Sequence, residues 1–195
     1  MYKRQDQIVS GPRVGITYLT FNFNIEPFQD VRVRKAVQMA IDRQAILDAL
    51  YGGRGQAEHG IFPHGLIGFQ KDQTQIVYDP EGAKALLAEA GYGDGFTMEL
   101  AADSSASDTM TMALEIIKEQ LSAVGIQAEI RNYDESTWLE TRKAGELPSF
   151  MSTWTADYND PDNFIYTFFG NEEKTKIRSI NYLDTAVMEL SLIHI

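Results

Sequence analysis

The sequence predicts an α/β protein with a mixed, mostly parallel sheet and helices on both of its faces. From residue 79 onward, segments with the apolar period of a helix alternate with short segments that have the apolar alternation of a strand. A further segment rich in β-branched and aromatic residues, over residues 14–24, precedes this series. Alternation of helix and strand builds a layered sheet, and right-handed crossovers place helices on both of its faces.

The first part of the chain contains a strand, one long helix and an irregular stretch. The strand is predicted over residues 14–24 (VGITYLTFNFN). Asp30 is a suitable N-cap, and the apolar spacing after it predicts a single helix to about Tyr51, where Gly52 ends it. A glycine-rich segment with neither period continues to about Val77.

The second part of the chain alternates helices and strands. Asp79 and Pro80 make a strong helix start, because Asp accepts N–H groups at the N-cap and Pro fits the first turn. Asp134 is the predicted cap of the last helix in the series. The predicted elements are a helix over residues 79–91, a strand over 96–100, a helix over 109–124, a strand over 126–130, a short helix over 134–145 and a strand over 150–155.

The composition excludes several classes of protein. The 195 residues contain 17 Lys and Arg against 28 Asp and Glu, and this net charge of −11 does not suit a protein that binds a phosphate backbone. The 44% of apolar residues can form a core, but no apolar run approaches the ~20 residues of a membrane helix. The absence of cysteine excludes thiolate zinc sites and cysteine nucleophiles. Because of the negative net charge, we expect no nucleic-acid partner.

The two ends of the chain are compatible with one short DNA element read on opposite strands. Residues 190–195 (LSLIHI) can be encoded by a sequence whose reverse complement encodes residues 1–5 (MYKRQ), with GTG as the start codon. Such an element is similar to a transposon adapter used to prepare sequencing libraries. We therefore expect both ends to be artefacts and the natural segment to cover about residues 6–189.

The sequence predicts neither a metal site nor a catalytic motif. His59 and His64 are separated by Pro63 and do not have the i, i+4 spacing of ligands on a helix. The chain has no G-x-S-x-G elbow, phosphate-binding loop, G-x-G-x-x-G or H-E-x-x-H motif. We expect a protein that binds rather than catalyses, without a metal or cofactor.

The densest candidate site is the segment WTADYNDPDNF, residues 154–164, which begins where the last predicted strand ends. In open α/β sheets, ligands bind outside the carboxyl ends of strands. The segment combines aromatic side chains with the carboxylates of Asp157, Asp160 and Asp162, which suits an ammonium group. An alternative is ordinary turn chemistry, in which Asp160 or Asp162 caps the next helix.

Four segments of the chain, taken together, resemble one known family. They are PFQDVRVRKAVQMAIDRQAIL (27–47), YDPEGAKALLAEAGYGDGF (78–96), LSAVGIQAEI (121–130) and WTADYNDPDNF (154–164). They resemble family 5 of the bacterial extracellular solute-binding proteins, the oligopeptide-, dipeptide- and nickel-binding components of ABC importers. The resemblance covers nearly all of residues 14–189.

The resemblance implies a type II periplasmic-binding-protein fold, whose two lobes close around the ligand by hinge motion. It implies that this chain is mainly the C-terminal lobe, entered by an interlobe strand near residues 14–24. It further implies a peptide ligand, the membrane permease subunits of an ABC importer as partners, and a periplasmic or lipid-anchored extracellular location.

The resemblance also implies a ligand-binding site around Asp157. In peptide-binding members, the aspartate of a W-x-x-D segment pairs with the α-ammonium group of the peptide, and Asp157 matches that position. Trp154 is then a wall of the pocket, and Tyr158 and Asn159 complete the predicted set. Dipeptide-binding relatives hold the ligand carboxylate with an arginine that is missing from residues 102–109, which leaves longer peptides and other cationic solutes open.

Two other functions stay open on the sequence alone. A carboxylate-based hydrolase would use Asp157 and Asp160, provided that their separation suits such a pair. A nickel- or metal-chelate-binding member of the same family would depend on His59 or His64, and its ligand binding would require the metal.

Overall fold

The fold is seen in a computed structural model of the chain, which describes residues 14–69 and 76–170. The elements in these ranges are β1 (Gly15–Phe21), α1 (Val31–Ala40), α2 (Arg43–Tyr51), α3 (Pro80–Glu89), β2 (Phe96–Asp103), α4 (Asp108–Ser122), β3 (Ile126–Tyr133), α5 (Glu135–Ala144), β4 (Ser149–Thr155) and α6 (Asp162–Phe169). Within them, no helix has the length and apolar composition needed to span a membrane. The predictions for residues 1–5 and 190–195 lie outside the described residues.

The strands form one mixed sheet in the order β1-β4-β2-β3. β2 pairs in parallel with β3 and with β4, whereas β1 runs antiparallel to β4. Ala101 lies opposite Phe150, so β2 ends at Asp103 while β4 continues to Thr155. The paired strands β1 and β4 therefore extend roughly 10 Å beyond the carboxyl end of β2.

Helices α1, α3 and α4 pack on one face of the sheet and form the larger core. Alternate residues of β2 are buried against them, namely Met98, Leu100 and Ala102. Leu87 of α3 and Leu121 of α4 are 1% and 0% exposed in the same cluster. Burial of each such side chain contributes about 1.5–3 kcal/mol, so this face carries much of the stability of the fold.

Helices α5 and α6 cover the other face of the sheet at two separate places. Trp138 of α5 packs edge-on against Phe150 of β4, with ring centroids 5.7 Å apart. Farther along β4, Phe164 and Phe168 of α6 cluster with Ile16 of β1. The α6 helix therefore lies beside the extended ends of β1 and β4.

The prediction of an α/β fold with a mixed, mostly parallel sheet and helices on both faces is confirmed. The alternation of helices and strands from residue 79 is also observed. The predicted caps Asp79 and Asp134 accept backbone N–H groups of the following turns at 2.8 and 3.0 Å. Local capping chemistry therefore sets where these helices begin.

The first strand is shorter than predicted, since it ends at Phe21 and not near residue 24. The Asn22 side chain accepts the N–H of Asn24 at 3.0 Å and turns the chain. The Asn22 amide also donates to the carbonyl oxygen of Gly145 at 2.9 Å, which fixes this turn to the end of α5. Hydrogen bonding thus outweighs the strand propensity of the sequence at this point.

The prediction of one helix from Asp30 to about Tyr51 is wrong, because α1 and α2 are separate helices. Ile41 adopts an extended conformation with φ −100° and ψ 112°, which ends α1. Asp42 caps α2 by accepting the N–H of Ala45 at 2.9 Å. The backbone N–H of Asp42, released from the helix, donates to the side chain of Gln120 at 3.0 Å.

Candidate functional site

Asp157 lies at the tip of the extended β1–β4 pair, just beyond the last residue of β4. The N–H of Ala156 donates to the carbonyl oxygen of Val14 at 2.9 Å, so pairing with β1 continues up to the residue before Asp157. Asp157 is exposed, and no group within residues 14–69 and 76–170 is bonded to its carboxylate. The carboxylate is therefore available to a cationic group from outside.

Trp154, three residues before Asp157 in the sequence, is fixed by contacts with α6. It lies on β4, opposite Ile16 of β1. Its indole N–H donates to Oδ1 of Asn163 at 3.0 Å. Its ring meets the ring of Phe168 edge-on, at 6.1 Å and an interplanar angle of 89°. The half-buried indole can therefore serve as a rigid wall without reorganising.

The other two carboxylates of the segment are engaged within the loop. Asp160 accepts the N–H of Asp162, the first residue of α6, at 2.9 Å. Asp162 accepts the hydroxyl of Tyr158 at 3.1 Å, and this bond raises the pKa of Tyr158. The alternative of turn chemistry therefore describes Asp160 and Asp162, but not Asp157.

Asn159 connects the segment to a distant turn. Its side-chain amide donates to the carbonyl oxygen of Gly65 at 3.0 Å, and its Oδ1 accepts the N–H of Ile67 at 2.9 Å. Both ends of the amide are thus bonded to one stretch of backbone. The bonds that the structure shows for this side chain are therefore to residues 65 and 67. The predicted contact of Asn159 with a ligand stays a prediction.

The sequence does not predict the contact between Asn159 and this turn, because the bonded residues are 92 and 94 positions apart. A local signal for the turn itself is present in the spacing of Pro63, Gly65 and Gly68. Gly65 and Gly68 have φ of +90° and +84°, values that favour glycine. The turn could therefore be predicted, but its partner could not.

The two histidines of the irregular stretch contact different polar residues. Nδ1 of His64 is 2.6 Å from Oε1 of Glu58, and its ring packs on Phe69 at 4.1 Å. Nδ1 of His59 is 3.4 Å from the guanidinium group of Arg43. In the described part of the chain, no three His, Asp or Glu side chains come together as a metal site. The absence of a resident metal stays a prediction.

Comparison with known proteins identifies relatives over most of this chain. Residues 2–176 match the profile of the bacterial extracellular solute-binding proteins, family 5 Middle. The chain is 37% identical over 161 residues to the dipeptide-binding protein of Escherichia coli (strain K12), an alignment that covers 81% of this chain and 30% of that protein. It is 31% identical over 169 residues to heme-binding protein A of Haemophilus influenzae, over 85% of this chain and 31% of that protein. The chain thus spans less than a third of the length of these two curated relatives.

Solved structures show the same architecture. The periplasmic binding protein DppA from Helicobacter pylori, in complex with the peptide STSA, matches with a TM-score of 0.82 and 26% identity over 93% of this chain and 35% of that chain. The dipeptide-binding protein of Pseudoalteromonas sp. SM9913, in complex with Met-Leu, matches with a TM-score of 0.71 and 33% identity over 78% of this chain and 31% of that chain. The predicted type II periplasmic-binding-protein fold is confirmed by these similarities.

Proposed function

The chain belongs to family 5 of the bacterial extracellular solute-binding proteins, and we propose that it serves in the substrate-binding component of an ABC importer. Members of this family bind solutes and are not enzymes. The proposed role is therefore to bind a solute outside the cytoplasmic membrane and to deliver it to the permease subunits of the importer. The protein would be periplasmic or lipid-anchored.

The proposed ligand is a peptide, held by its amino end. The exposed and unbonded carboxylate of Asp157 carries this proposal. An ammonium group placed there gains charge-assisted hydrogen bonds, and the fixed ring of Trp154 adds an apolar wall beside it. The names of two relatives support peptides, since one is a dipeptide-binding protein and another was solved with the peptide STSA.

The proposed arrangement places the ligand between two lobes. Residues 6–189 would supply mainly the C-terminal lobe, and β1 would be the strand that connects it to the other lobe. The extension of β1 and β4 beyond the carboxyl end of β2 supports this assignment, because it carries Asp157 away from the body of the sheet. Closure of a second lobe over this tip would bury the ligand.

Titration of the protein as its gene encodes it, with a pool of tripeptides to pentapeptides, tests the proposal. We expect binding that weakens by about 10- to 100-fold in Asp157→Asn, because a charge-assisted hydrogen bond is lost. N-acetylation of the peptides should have an effect of similar size. The matched control is Asp160→Asn, which keeps an acceptor oxygen for the N–H of Asp162 and should bind as the unmodified protein does.

Other results would contradict the proposal. Equal affinity in Asp157→Asn, or tight binding of acetylated peptides, would contradict the amino-end assignment. Binding that requires nickel and survives the loss of Asp157 would favour the metal-chelate alternative. Hydrolysis of a glycoside or peptide would favour the carboxylate-based hydrolase, because a binding protein returns its ligand unchanged.

A further inference from the structure

Residues 63–69, the 63–69 turn, form a compact double turn in the otherwise irregular stretch after α2. The N–H of Leu66 donates to the carbonyl oxygen of Pro63 at 3.2 Å, and the N–H of Phe69 donates to that of Leu66 at 3.1 Å. Gly65 and Gly68 supply the positive φ that such tight reversals need. The backbone at the tip of the turn is therefore well defined.

The turn is attached to the α6 side of the molecule by an apolar contact. Leu66 is 4% exposed and lies in the cluster that contains Phe164 and Phe168. A Cβ atom on Gly68 would lie 3.7 Å from Cγ of Pro161, so the turn also contacts the loop before α6.

Asn159 fixes the tip. Its amide bonds the carbonyl oxygen of Gly65 and the N–H of Ile67, at 3.0 and 2.9 Å, as a neighbouring strand would. The two bonds enclose Leu66, whose side chain enters the core, and they present the next residue outward. Ile67 is accordingly 64% exposed.

The presented residue is hydrogen-bonded to the segment that carries the proposed anchor for the ligand. Ile67 is one hydrogen bond away from Asn159, which follows Asp157 by two residues. Tyr158, between them, is 54% exposed and is tied to Asp162. Ile67 and Tyr158 thus expose apolar surface on the same bonded loops as the free carboxylate. An ammonium group with an apolar side chain on the adjoining carbon would need such surface near its anchor.

We propose that Ile67 lines a subsite for the first side chain of the peptide, and that Asn159 is the positioning residue that holds Ile67 there. This inference rests on the proposed function, since Asp157 supplies the anchor from which the subsite is measured. The chemical class that it selects is a peptide with a free amino end and an apolar first residue.

The test compares the affinities of two peptides, Leu-Ala-Ala and Gly-Ala-Ala, for the protein as its gene encodes it. We expect Leu-Ala-Ala to bind at least about fivefold more tightly, and Ile67→Ser and Asn159→Ala to remove most of that preference. In Ile67→Ser, the affinity for Gly-Ala-Ala should change less than about twofold, whereas general loosening of the fold would weaken the binding of both peptides. Ile67→Leu should retain the preference.

Val31→Ser is the matched control, because Val31 is also an exposed apolar residue, with 50% exposure at the start of α1. The neighbouring Arg32 donates to the end of α3, so this position is not connected to the candidate site. Val31→Ser should leave both affinities unchanged. This inference would be overturned if the unmodified protein showed no preference for Leu-Ala-Ala, or if the preference survived both Ile67→Ser and Asn159→Ala. If binding still depends on Asp157 in that case, the proposed function stands; if neither peptide binds, both fail.

Discussion

At the scale of single residues, the hydrogen bonds of three nearby aspartates separate their roles. A carboxylate that already accepts an N–H or O–H group has its charge stabilised and gains less from a new cation. Asp160 and Asp162 accept such groups within the loop, whereas Asp157 accepts none from the described residues. The residue that folding leaves unsatisfied is therefore the one best suited to a ligand.

Asp134 shows the opposite case, a carboxylate committed to the fold. The hydroxyl of Ser136 and the N–H and hydroxyl of Thr137 donate to it, and these bonds hold its pKa below the ordinary value. A lowered pKa means that the folded protein favours the charged form, so its stabilising effect is present at neutral pH and is lost as pH falls.

We expect Asp134→Asn to lower the midpoint of thermal unfolding near neutral pH, because the amide replaces one acceptor oxygen by a donor. The difference from the unmodified chain should shrink as pH falls below about 4, where the unfolded chain takes up the proton first. Thermal scans of both proteins across this range check the prediction. A difference that is constant with pH would contradict it.

At the scale of elements, helix starts were predictable where the cap and the apolar period agree. Asp79 and Asp134 each stand before a new apolar period, and both cap as predicted. Asp42 lies inside a period that runs on, so the pattern conceals the break at Ile41. The backbone N–H of Asp42 at this break donates to the side chain of Gln120 in α4, a residue that is distant in sequence. The local pattern cannot show this contact.

The break makes Asp42 a cap whose contribution can be measured. We expect Asp42→Ala to reduce the free energy of unfolding by about 1 kcal/mol, since α2 loses the acceptor for the N–H of Ala45. Urea denaturation followed by circular dichroism measures it. The control is Glu140→Ala, an exposed acid to alanine change inside α5 that removes no cap. Equal effects of the two changes would show that the break does not depend on the cap.

At the scale of the whole molecule, the larger core lies on one face of the sheet, and the cluster that supports the candidate site lies on the other. The order of elements from residue 79 onward, and the position of the candidate segment after the last strand, follow from sequence periodicity and turn residues. The sequence does not show that β4 outruns β2, that α6 fixes Trp154, or that Asn159 binds the 63–69 turn, because each depends on long-range contacts. The larger core lies under α1, α3 and α4, while the candidate site rests on the cluster around Phe168.

This division predicts that stability and site geometry can be changed separately. Leu121 is 0% exposed in the larger core. Leu121→Ala should lower the free energy of unfolding by about 2–5 kcal/mol and leave Trp154 in place. Phe168→Leu removes the ring whose centroid lies 6.1 Å from that of Trp154 and should alter the surroundings of that indole.

The two tryptophans of the chain, Trp138 and Trp154, make this measurable by fluorine NMR of protein labelled with 5-fluorotryptophan. Trp154→Phe assigns the two signals. We expect Phe168→Leu to shift the signal of Trp154 and to leave that of Trp138, which packs on Phe150 in a different cluster. Leu121→Ala should shift neither signal at temperatures where the chain is folded. If Leu121→Ala moved the Trp154 signal as far as Phe168→Leu does, the core and the site would form one packing unit, and the proposed independence of the binding tip would be wrong.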